Sequence, residues 1–118
     1  MHRGEIWELI PGISGRNGDG ETRPVLLLSN DALAILPLRV IVPLVPWKDQ
    51  YAGAPWMVRI PPVLNSGLLE VMAADALQVR SVSASRLKSK LGSLPDRLVS
   101  ETAEAVVLIL KDARQAQV

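Results

Sequence analysis

Apolar residues along this chain fall in short runs cut by Pro, Gly and polar pairs, and only the C-terminal part repeats them at helical spacing. That pattern predicts a series of short strands followed by one long helix. Residues 3–10 predict the first strand, with Ile6 and Trp7 supplying its core contacts. Residues 11–20 carry four glycines with Ser14, Asn17 and Asp19 and predict a mobile loop. Residues 25–29 predict a second strand, apolar from Val25 to Leu28 and so covered on both faces. Residues 30–36 read as a short helical turn that Pro37 ends. Residues 38–45 predict a third strand, whose Pro43 and the following Pro46 point to a sheet edge or strand end. A second polar loop, residues 47–54, carries exposed aromatics. Residues 55–60 form a fourth strand stopped by Pro61-Pro62, and 68–71 and 74–82 read as further short strands.

The remainder reads as helical. Residues 83–91 fit a short helix ended at Gly92. Ser93-Leu94-Pro95-Asp96 has capping-box spacing, with Ser93 as N-cap, Pro95 in the first turn and Asp96 at the third helical position. Leu98, Val99, Thr102, Val106, Ile109 and Leu110 then form one apolar stripe, with Glu101 and Glu104 on the other side. The sum is an α+β fold in one domain, 1–118: a small, strongly curved sheet with a long helix packed on it.

Composition narrows the function classes. The chain has 118 residues, 48% of them hydrophobic and 21% charged, so it folds around a real core. Thirteen basic against 12 acidic residues leave a formal net charge of +1. That excludes a uniformly basic nucleic-acid coat protein and leaves room for a local basic groove. There is no cysteine, hence no disulfide and no thiol nucleophile, which fits a reducing compartment. No signal-type h-region follows Met1, and the apolar region 32–47 is broken by Pro37, Arg39, Pro43 and Pro46, so no membrane span is expected. A cytoplasmic protein is the simplest expectation. The one histidine, His2, lies beside the N-terminus, and with no cysteine a zinc site is not expected. P-loop, GxGxxG, GxSxG and HExxH patterns are all missing, so no cofactor is expected.

The stretch Glu21-Thr22-Arg23-Pro24-Val25-Leu26 carries the most chemistry. Pro24 suits the first position of a strand, which places Arg23 where a loop meets a buried element. A cation there has rigid support behind it and solvent in front. Its guanidinium holds its charge and can grip a phosphate through two parallel hydrogen bonds. The plainer reading is a surface ion pair with Glu21 or Asp19.

The motifs Arg3-Gly4-Glu5-Ile6-Trp7, Thr22-Arg23-Pro24-Val25-Leu26, Ser29-Asn30, Val42-Pro43-Leu44, Gln78-Val79-Arg80-Ser81-Val82, Ser85-Arg86-Leu87 and Leu91-Gly92-Ser93-Leu94 stand in one order over nearly the whole chain. In that order they resemble the MazF/PemK (Kid) toxins of type II toxin–antitoxin systems. The resemblance implies an SH3-like, CcdB/MazF-type curved β-barrel with a long C-terminal helix, and a homodimer. It also implies metal-independent, sequence-specific cleavage of single-stranded RNA to 2′,3′-cyclic phosphate and 5′-hydroxyl ends. A cognate MazE-like antitoxin would fill the RNA groove with an extended acidic tail.

That reaction needs a base for the 2′-hydroxyl, charge stabilisation at phosphorus and a proton for the 5′-oxygen. Arg23 matches the family's catalytic arginine, as phosphate clamp and candidate proton donor. Glu21 is the first candidate base, Asp19 the second and Glu5 the third. Gln78 and Arg80 match the family's RNA-gripping segment, with Arg80 placed on the strand face of Gln78. Trp47, Lys48 and Tyr51 offer stacking and charge to unpaired bases, and Trp56 reads as core or dimer surface. Two departures stand out. Val45-Pro46 follows Val42-Pro43-Leu44, where the family carries a Thr or Ser that contacts the scissile phosphate. Leu77, not an acid, precedes Gln78, and Asp75 is the substitute two residues earlier. These changes keep two alternatives open: a catalytically dead antitoxin-binding module, and a CcdB-like inhibitor of a protein target such as gyrase.

Overall fold

A computed structural model of the chain describes residues 1–12 and 21–112. It contains strands β1 (Glu5–Leu9), β2 (Arg23–Leu27), β3 (Leu38–Pro46), β4 (Met57–Ile60), β5 (Met72–Asp75), β6 (Arg80–Ser83) and β7 (Leu87–Ser93), then helix α1 (Asp96–Leu110). All strand pairs are antiparallel, in the order β4-β5-β3-β2-β1-β7, and β6 pairs with β3. The expected α+β architecture, a curved sheet with a C-terminal helix, is present. The sheet is open: β6 passes to β7 through a 3₁₀ turn, Ala84–Arg86, and no described ladder joins the two strands.

Alternation along the strands fills two separate cores. Ile6, Leu26, Val42, Leu44 and Ile60 pack with Leu98 and Val99 on the helix side. Leu9, Val25, Leu27, Ile41, Val82 and Leu87 pack on the other side, with Trp7 against them. β2 is therefore covered on both faces, as its unbroken apolar run requires.

β3 is central to the sheet and pairs with three strands, so Pro43 does not mark an edge. Its partners on one side are β6 at Leu38–Ile41 and β5 at Leu44–Pro46. The other side carries β2 at Ile41–Pro43. The Leu28 amide donates to the Val40 carbonyl, so by ladder alternation the Pro43 nitrogen faces the gap between β6 and β5. A residue without an N–H costs no hydrogen bond at that gap.

Three further expectations shift. Residues 68–71 are irregular, and the 74–82 run is split by a 3₁₀ turn at Ala76–Gln78. The helix expected at 83–91 is a 3₁₀ turn followed by β7, because Leu87 to Ser93 pair along β1 and tertiary pairing overrides the helix-forming Arg, Leu and Lys side chains. Gly92 lies inside β7, where a Cβ would sit 2.3 Å from the Asn65 carbonyl oxygen. Its role is close backbone approach by the 61–71 segment, not a helix end. Ser93 is consequently a strand residue. Helix α1 starts after Pro95 without a side-chain cap bond. The helix buries Leu98, Val99, Thr102 and Ala105, with Val106 and Ile109 half-buried, and the stripe ends before Leu110, which is 75% exposed.

Candidate functional site

Arg23 is the first residue of β2 and pairs with Leu9 of β1. Alternation puts it on the face of Val25 and Leu27. Across β3, Ile41 and Pro43 lie on that face, and Ile41 pairs with Arg80 of β6. The smaller core thus runs out into a trough, with aliphatic side chains as floor and arginines at the rim.

Two hollows make up this trough. One, of about 470 Å³, is lined by Leu9, Pro11, Gly12, Glu21, Arg23, Arg80 and Arg86. The other, of about 290 Å³, is lined by Arg23, Val25, Pro43, Leu44, Val45, Asp75, Gln78 and Arg80. Arg23 and Arg80 line both.

The Arg23 side chain is 74% exposed, and its Nη2 stands 3.9 Å from Glu21 Oε2. The ion pair anticipated from sequence therefore exists, at the outer limit of such contacts and in solvent. Pairs of this kind contribute roughly 0–1 kcal/mol, too little to lock the guanidinium away from a ligand. Arg80 donates from Nη1 to the Gln78 carbonyl at 3.3 Å. Gln78 lies on the 3₁₀ turn and not on a strand face with Arg80, yet both line the second hollow. Asp75 accepts from the Leu77 amide at 3.1 Å, capping that turn, and also reaches the second hollow. The strand argument for Asp75 fails, and its placement beside Gln78 comes from the turn.

Several other candidates lie elsewhere. Trp47 and Tyr51 pack edge-to-face at 5.8 Å, on the segment around the Asp49–Gly53 3₁₀ turn, and with Lys48 they line neither hollow. His2 Nδ1 faces Asp31 at 3.6 Å. Trp56 is half-buried, and its carbonyl accepts from the Ala76 amide. Asp19 lies outside the described residues.

Glu5 is buried and fully engaged, so it lines neither hollow and is not poised as a base. Its Oε1 accepts from the His2 amide at 3.0 Å and from Trp7 Nε1 at 2.9 Å, and Lys90 Nζ lies 3.2 Å from Oε2. Burial pushes this carboxyl up, but the bonds from Trp7, His2 and Lys90, with the lysine's charge, outweigh it and hold the pKa down to about 2.

Arg86 is the trough residue to which sequence reasoning gave no role. It stood in the Ser85-Arg86-Leu87 motif, but a helical reading of 83–91 hid its register against β1. Among the described residues no group of three or more His, Cys, Asp or Glu side chains gathers to hold a metal, and no helix is long and apolar enough to cross a membrane.

Chemically, the trough is three guanidiniums around two carboxylates, in a chain of near-zero net charge. It can grip a phosphodiester through forked donors, with an acid in each hollow to move a proton.

A small curved antiparallel sheet with one C-terminal helix is the fold of the MazF toxins. The crystal structure of the MazE–MazF complex from Deinococcus radiodurans superposes with a TM-score of 0.75 at 24% identity, covering 93% of this chain and 95% of that one. An endoribonuclease in complex with its cognate antitoxin, from a mycobacterial species, gives 0.71 at 19% identity, covering 93% and 94%. The Mycobacterium tuberculosis toxin MazF-mt6 gives 0.67 at 19% identity, covering 88% and 95%. No curated protein matches the chain by sequence. The sequence profile of the PemK-like, MazF-like toxins of type II toxin–antitoxin systems matches residues 2–110. The chain belongs to that family.

Proposed function

We propose that this protein is the toxin of a toxin–antitoxin pair and cleaves single-stranded RNA at a short sequence without a metal ion. The observation that carries this reading is Arg23: strand-borne, 74% exposed, and lining both hollows. Its guanidinium clamps the scissile phosphate and stabilises the charge that develops at phosphorus. Glu21 or Asp75, one in each hollow, takes the proton of the 2′-hydroxyl. That oxygen attacks phosphorus, the bond to the 5′-oxygen breaks, and the departing oxygen takes a proton from solvent while Arg23 keeps its charge on the phosphate, leaving 2′,3′-cyclic phosphate and 5′-hydroxyl ends. Gln78 and Arg80 hold the flanking nucleotides. The protein acts in the cytoplasm as a homodimer, and a MazE-like antitoxin blocks it by laying an acidic extended tail along the trough, where three guanidiniums favour carboxylates.

The test is purified protein with a long single-stranded RNA in the presence of EDTA, with fragment ends mapped. Cuts at one short motif with cyclic-phosphate ends are expected, and Arg23→Ala should lower the rate by about 10²–10³-fold or more while the protein stays folded. Unimpaired cutting by that variant refutes the assignment.

A second reading has one observation in its favour. Val45 lines the second hollow beside Arg23, where relatives are expected to carry a hydroxyl. A protein that binds RNA or antitoxin and leaves RNA intact would fit that wall. Intact RNA in the same assay selects it.

A further inference from the structure

The three-strand ladder at the level of the trough has an irregularity. On β1, Glu8 pairs with Ser89 and Leu9 with Leu87, so the register against β7 shifts between those two residues. Leu9 is also the partner of Arg23. The rung that carries Arg23 therefore lies next to a bulge, where ladder bonding is disrupted and the strand is free to bend.

Immediately beyond it stands Arg86. Its Nε and Nη2 both donate to the Ile10 carbonyl, at 3.1 and 2.9 Å. In return the Ile10 amide donates to the Arg86 carbonyl at 2.8 Å. Residues 10 and 86 are thus joined three times, by backbone and by side chain. The Arg86 side chain also borders the larger hollow together with Glu21 and Arg23. Two donors of one planar fork on one carbonyl is a geometry that lysine cannot reproduce.

We propose that Arg86 is a positioning residue for the cleavage site: its fork clamps the end of β1 just past the bulge and so fixes the rung from which Arg23 projects. The inference rests on the nuclease reading given above. Reaction geometry tolerates little error, and a displacement of an ångström costs up to about 10²-fold in rate.

Single-turnover cleavage of an RNA containing the mapped motif tests it, with wild type, Arg86→Lys and Arg86→Ala compared at a temperature where circular dichroism shows all three folded. Lysine keeps the positive charge in the hollow and gives up the fork. The expected result is a kcat lowered roughly 10- to 100-fold in Arg86→Lys, with KM within about threefold of wild type. Arg86→Ala should fall at least as far. Should the alanine variant fail to fold, the lysine variant decides alone. Arg86→Lys cleaving at the wild-type rate overturns the proposal and reduces Arg86 to a charge. A raised KM with unchanged kcat overturns it as well. Wild type leaving the RNA uncut defeats the nuclease reading itself, a result separable from either of these.

Discussion

Among the described residues, Glu5 is the carboxylate whose environment departs furthest from water, and its bonds tie the fold together. With three donors on it and its side chain 11% exposed, its folded-state pKa of about 2 lies below the ordinary 4.5. A depressed carboxyl stabilises the fold above its unfolded pKa and loses that contribution as pH falls towards the folded value. The shift corresponds to at most about 3 kcal/mol, less whatever solvent screens at the half-exposed Lys90. Thermal melts should therefore show stability dropping between pH 5 and pH 2, and Glu5→Gln should flatten that drop while lowering the melting temperature at pH 7. A Glu5→Gln protein as acid-sensitive as wild type would contradict this. At the same scale, Arg23 was legible because a loop-strand junction and Pro24 fix its place in one dimension. Arg86 was not, because its partner carbonyl is 76 residues away.

Among the elements, helix α1 and strands β1 to β4 follow from local pattern: an apolar stripe at period 3.6 and short runs bounded by Pro and Gly. β7 does not. Leu87-Lys88-Ser89-Lys90-Leu91 has helix-forming side chains, and only the neighbouring β1 makes it a strand. Gly92 was misread with it, since its reason lies in the 61–71 segment. Gly92→Ala should clash with backbone at Asn65 and Ser66, which cannot swing aside as a side chain would. We expect a loss of about 3 kcal/mol, the upper end of what overpacking a core typically costs, against about 2–5 kcal/mol for Leu98→Ala in the helix-side core. Urea titration of both variants checks the pair. A Gly92→Ala protein as stable as wild type would mean that the 61–71 segment yields freely.

For the whole molecule, charge placement matters more than charge total. A net charge of +1 predicts little affinity for a polyanion, yet Arg23, Arg80 and Arg86 converge on one hollow. Single strands release about 0.7 counterion per phosphate neutralised, so three contacts give a salt slope on the order of 2 in log–log form. Anisotropy with an uncleavable 2′-deoxy oligonucleotide between 50 and 300 mM salt measures it, and Arg80→Ala should lower the slope by about one contact's worth. A slope near zero would place nucleic acid elsewhere. Convergence of this kind is invisible in composition, because it depends on β6 lying beside β3 and on the chain crossing the open seam to β7.

The trough and the smaller core share a single floor. Val25 and Ile41 underlie the rim, whereas Leu98 and Val99 sit across the sheet. Sequence drift therefore meets two different tolerances in one small protein. Wear beneath the helix spends its force on how long the molecule survives heat. Wear beneath Arg23 costs both, since Val25 and Ile41 are fully buried: the fold loses heat resistance and the guanidinium above them loses its aim.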